Sequence, residues 1–85
     1  MKKLIEEVEG EGLVELIGQR VTLYCAIYIY SGKLVGVSDT FVKLTNAEIV
    51  YNTGSFTDKK WENAESLPND WYVQTAMIES FGILK

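Results

Sequence analysis

Eighty-five residues, 47% of them apolar and 12% aromatic, make a single domain spanning residues 1–85, with a thin core, because a chain this short buries only about 60% of its unfolded surface. A net charge of −4, from 12 acidic and 8 basic residues, argues against duplex DNA binding, which demands many phosphate-neutralising cations. The same balance leaves room for a small pocket that takes single-stranded bases by stacking and edge hydrogen bonds.

Cysteine usage and hydropathy narrow the setting. Cys25 is the only cysteine, so no intrachain disulfide can form. No apolar run approaches the roughly 18 residues of a membrane helix, and Lys2 and Lys3 are followed by only Leu4 and Ile5 before Glu6 and Glu7. A cytoplasmic protein without a membrane partner is predicted.

In chain order, Ile5, Val8, Leu13, Leu16 and Ile17 approximate a helical stripe, predicting an N-terminal α-helix over about 3–17. Gly18 stands where a left-handed helix stop is wanted. Gly10 and Gly12 each cost a helix interior about 1 kcal/mol relative to alanine, so the firm part is expected at residues 13–17. From Arg20 the period becomes two, with Val21, Leu23, Cys25, Ile27 and Ile29 read as core. Tyr24, Tyr28 and Tyr30 fall on the other face, where they suit either a subunit contact or cover for the domain's own helix.

Turn chemistry alone would place a hairpin at Ser31-Gly32. Further on, Val42 and Leu44 share one parity and Ile49 and Tyr51 the other, which a bulge near Thr45-Asn46 repairs within one long strand. Residues 52–70, rich in Gly, Ser, Asn, Asp, Lys and Glu, read as a long variable loop with a helical turn at 62–67. Trp71-Tyr72-Val73-Gln74-Thr75 and the apolar-rich stretch from Met77 to Leu84 read as two final strands around Thr75-Ala76.

Catalytic chemistry is hard to assemble. There is no histidine, which removes Ser/His and Cys/His nucleophile pairs and the usual zinc sets. Glu6 and Glu7 read as a solvated acidic face, Cys25 as a small core residue, and no glycine-rich phosphate loop is present. No enzyme activity, cofactor or metal is predicted.

The most specific stretch is Tyr30-Ser31-Gly32-Lys33-Leu34-Val35-Gly36-Val37-Ser38-Asp39-Thr40-Phe41-Val42-Lys43-Leu44. It resembles the first signature motif of the Sm-like (LSm/Hfq-type) family, and Leu13-Val14-Glu15-Leu16-Ile17-Gly18-Gln19-Arg20-Val21 is similar to the helix, glycine stop and first strand that precede it there. The resemblance extends over about residues 13–83 and suggests a divergent bacterial or phage-like member. It implies a mainly β fold, an N-terminal α-helix followed by a five-stranded, strongly bent antiparallel sheet of SH3-like barrel type. Gly32 then becomes a bend inside the second strand and the first turn moves to Ala26-Ile27, the register preferred here.

The same resemblance implies a cyclic homo-oligomer of about five to seven subunits, joined through Trp71, Tyr72, Val73, Met77, Ile78 and Phe81. It also implies single-stranded, uridine-rich RNA at the pore, with Asp39 ordering the loop, Phe41 stacking on a base, Lys43 at the position that reads the base edge, and Gln74 approaching from the opposite loop. The spacing from Gly32 to Asp39 is one residue longer than usual, so alignment on the glycine puts Ser38 at the acidic position. Val73-Gln74-Thr75 stands where the family carries Ile-Arg-Gly, which removes the arginine of the base pocket. A structural or protein-interaction ring without RNA binding is the alternative implied.

Overall fold

The computed structural model describes residues 12–57 and 59–84. Within them the chain forms strands β1 (Arg20–Cys25), β2 (Ile29–Val37), β3 (Phe41–Asn52), β4 (Asn63–Ser66), β5 (Trp71–Gln74) and β6 (Ile78–Gly82). All pairings are antiparallel, in the order β4-β3-β2-β1-β6, with β5 also on β3. The fold is therefore mainly β, as the alternating pattern indicates.

The predicted helix is not seen. Residues 3–11 lie outside the described residues, and the firm part expected at 13–17 is only a 3-10 turn, Val14–Leu16. Gly12 and Gly18 bracket that turn at φ +106° and +96°, left-handed values that favour glycine and keep the turn from extending as helix through residues 12–18. After Gly18 the chain enters the sheet: its N–H donates to the Leu34 carbonyl at 2.7 Å, and Leu34 N–H donates to the Gln19 carbonyl at 2.9 Å.

The first turn lies at Ala26-Ile27, with Cys25 N–H donating to the Tyr28 carbonyl at 3.1 Å, and Gly32 is inside β2. Ile27, assigned to the core by alternation, sits at the tip of this turn and is 75% exposed, because the period of two stops where the strand does. The expected bulge in β3 is present. Ser31 pairs with Glu48 and Lys33 with Thr45, leaving one extra residue on β3, and Asn46 takes φ +50° there. A second irregularity, between Leu34 and Gly36, puts an extra residue on β2 and restores the original register. Such paired bulges increase the local twist and bend both strands near their middles.

Gly32 is needed for space rather than for its backbone angles. A Cβ at that position would lie 3.0 Å from the Ala47 Cα and 3.2 Å from the Ala47 and Leu44 Cβ atoms, on the bulged part of β3. Gly32→Ala is expected to destabilise the fold by about 1–3 kcal/mol, the usual cost of overpacking, read from urea unfolding. Stability equal to wild type would refute this close-approach account.

The loop predicted over 52–70 is shorter than expected. Its second half is β4 rather than a helical turn, pairing with the C-terminal half of β3 through Glu48–Ser66 and Val50–Ala64. β5 continues on the same edge of β3, offset by a single residue from the β4 register. Together β4 and β5 act as one interrupted strand, and Leu67 N–H donates to the Ala47 carbonyl between them at 2.8 Å. β4 escaped notice because its residues, Asn63, Ala64, Glu65 and Ser66, carry no apolar alternation. It is an edge strand, largely exposed.

The core comprises Val21, Leu23, Leu34, Val42, Leu44, Ala47 and Val73, fringed by Leu13, Leu16, Cys25, Tyr30, Leu67 and Ile78. The sheet is not closed into the barrel that the family resemblance implies. β5 and β6 would have to pair to close it, but β5 bonds only to β3 and β6 only to β1, with a 3-10 turn at Thr75–Met77 between them. Both strands therefore keep a free edge among the described residues.

Candidate nucleic-acid interface

Antiparallel pairing of β3 with β5 assembles most of the predicted site. Phe41 is opposite Gln74, Val42 opposite Val73, and Lys43 opposite Tyr72. Alternation turns Val42 and Val73 into the core, at 0% and 5% exposure, and sends Phe41, Lys43, Tyr72 and Gln74 to the outer face. Phe41 and Tyr72 meet edge to face, with centroids 5.4 Å apart and planes at 77°. Lys43 Nζ lies 5.6 Å from the Tyr72 ring centroid and 3.5 Å from Asp70 Oδ2. The Tyr72 hydroxyl, and then the Asp70 carboxylate, push the Lys43 pKa up, so this side chain is cationic at neutral pH.

Phe41 and Tyr72 also line an open cleft of about 690 Å³ with Asp39, Thr40, Gln74, Thr75 and Ala76. The β2–β3 and β5–β6 loops adjoin here. Thr75 N–H donates to the Thr40 carbonyl at 3.0 Å, and Thr75 Oγ1 donates to the Asp39 carbonyl at 3.0 Å. The cleft has aromatic faces, an amide and the acidic residue Asp39 in its lining, and Lys43 stands beside Tyr72 without lining it. That set can stack a planar base and hydrogen-bond its edge, but offers no acid–base pair. No cluster of metal-ligating side chains occurs among the described residues.

Loop ordering falls to Ser38 rather than Asp39. Ser38 Oγ accepts from Phe41 N–H at 3.1 Å and Thr40 N–H at 3.4 Å, and Ser38 N–H donates to the Phe41 carbonyl at 2.8 Å. Asp39 contributes its main-chain carbonyl to Thr75, while no backbone donor of the turn goes to its carboxylate. Ser38→Ala is expected to lower stability by about 1 kcal/mol, with Asp39→Ala close to wild type. Thermal melts that rank the two variants the other way would return the ordering role to Asp39.

The predicted interface residues divide. Trp71, Tyr72, Met77 and Phe81 are exposed, whereas Ile78 packs against the core and Val73 belongs to it. At the open side of the sheet, Cys25, Tyr30, Tyr72, Val73, Gln74 and Met77 line a smaller recess of about 130 Å³. Burial first, and then Glu79, push the Cys25 thiol up, so it stays protonated and unreactive at neutral pH. Tyr28, in the β1–β2 turn, packs edge to face on Tyr30 of β2 and Tyr51 of β3, at 6.5 and 6.2 Å, so these tyrosines cover one another in part.

The sequence offers Ser38 as the alternative to Asp39 and places Tyr72 at the subunit contact, without a part in the site. Tyr72 becomes a site residue solely through its cross-strand place beside Phe41. The sequence matches no family model, and no curated protein matches it. What the fold and site define is a class: an open antiparallel β domain with edge strands β4, β5 and β6 and an exposed aromatic and cationic patch. No described helix is long and apolar enough to cross a membrane.

Proposed function

We propose that this chain is a cytoplasmic, ring-forming, Sm-like protein that holds single-stranded, uridine-rich RNA at the β2–β3 and β5–β6 loops. The observation that carries the reading is the outer-face quartet of Phe41, Lys43, Tyr72 and Gln74 on two paired strands. Phe41 supplies a base platform, Tyr72 props it from the edge, Gln74 offers donors and acceptors to a base edge, and Lys43 approaches phosphate. Pairing of β5 with β6 of the next copy supplies the ring, since both strands, like β4, keep an unpaired edge among the described residues. Val73 then contributes its main chain only.

The alternative, a ring that serves as a structural or protein-interaction module, is favoured by two features. Asp70 already provides Lys43 with a counter-ion, and Gln74 brings no charge of its own. Fluorescence anisotropy with labelled oligouridine at low salt separates the two. Saturable binding supports the RNA reading, and its absence transfers the case to the interaction module.

A further inference from the structure

A second cleft, of about 680 Å³, lies away from the Phe41 patch, between the middle of β3, β4 and the segment leading into it. Arg20, Lys59 and Lys60 line it, which is three of the five basic residues among those described, in a chain whose net charge is −4. Trp61, half-buried, forms part of the wall. Two carboxylates also line the cleft, and both are engaged: Glu48 with Arg20 at 3.5 Å and Glu62 with Asn52 Nδ2 at 3.2 Å. Arg20 is held in place by donating to the Asn46 carbonyl, at 3.1 Å, on the left-handed residue of the bulge.

An indole beside cations suits one ligand chemistry above others, a base carrying a phosphate, with stacking on the ring and charge on the lysines. We infer that the Trp61 cleft is a nucleoside-phosphate site separate from the Phe41 patch, with Trp61 taking the base and Lys59 and Lys60 the phosphate. Along β3 the near wall of the cleft, at Asn46 and Ala47, begins five to six residues from Phe41, or roughly 17–20 Å of strand at about 3.3 Å per residue. The ligand is either a free nucleotide or a nucleotide within a single strand that also reaches the Phe41 patch.

The test follows the Trp61 indole N–H signal by NMR, assigned as the one that survives Trp71→Phe, during titration with uridine monophosphate and with a twelve-residue oligouridine. A saturable shift with the monophosphate identifies a free nucleotide as sufficient; a shift with the oligomer alone identifies a strand. Lys59→Gln with Lys60→Gln, both on exposed positions, is expected to weaken the response at least tenfold. With the oligomer, the pair should also reduce the slope of log affinity against log salt by about 1.4, or 0.7 per lost phosphate contact. Phe41→Ala should leave the monophosphate response at Trp61 unchanged, so failure of the Phe41 reading and failure of this one are distinguishable. An indole that neither ligand moves, or a response that the double lysine variant retains in full, overturns the proposal.

Discussion

Native mass spectrometry of the unmodified chain is expected to show one closed assembly of about five to seven copies, and Phe81→Lys is expected to reduce it to single chains. The expectation rests on the unclosed sheet. β5 and β6 each bond to one neighbour, so each presents an edge whose main-chain groups can pair with another molecule. β6 also sets Phe81, 43% exposed, beside that edge, and β5 sets Trp71 and Tyr72 beside the other. Head-to-tail pairing of two different edges repeats by a fixed rotation and ends in a ring when the rotation closes. A lysine at position 81 puts a charge where a neighbouring strand would have to dock, the device by which natural edge strands resist pairing. Phe81 is opposite Leu23 but outside the core, so the variant should keep its sheet, visible as an unchanged far-ultraviolet dichroism spectrum. An unmodified chain that runs as a monomer at micromolar concentration would sink the ring.

Phe41→Ala is expected to cost about 1–3 kcal/mol of oligouridine affinity per engaged site, a loss of roughly 5- to 150-fold, while the assembly state stays the same. The side chain is exposed and lies opposite Gln74 on the outer face, so its removal opens no cavity in the core. Tyr72→Ala should produce a smaller loss, because Tyr72 acts on the platform from its edge. Lys43→Ala should weaken binding and flatten its salt dependence, the mark of a lost phosphate contact. Asp70→Asn should do the reverse, since it frees Lys43 from its counter-ion. Equal affinity of the Phe41→Ala and unmodified chains, in anisotropy titrations at one salt concentration, would remove Phe41 from the site.

Period-two alternation marked β1 and the start of β3, and the parity change at Thr45-Asn46 marked the bulge, because these signals are local: each strand writes its two faces into neighbouring residues. The absence of histidine and the single thiol are likewise plain from the chain itself. The turn lies at Ala26-Ile27, against the local turn signal at Ser31-Gly32, where Gly32 instead sits inside β2 with room for no side chain beside Ala47 and Leu44. What depended on distant partners was not legible. β4 is a strand because β3 offers it an edge, although its own polar sequence shows no alternation. Tyr72 joins the site because β5 registers Lys43 against it across 29 positions of chain, and Ser38 displaces Asp39 because its hydroxyl, not the carboxylate, reaches the Phe41 N–H. The unclosed seam between β5 and β6 also belongs to tertiary structure alone. Strand propensity fixes that both segments are extended, but which edges find partners is decided only when the whole sheet is assembled.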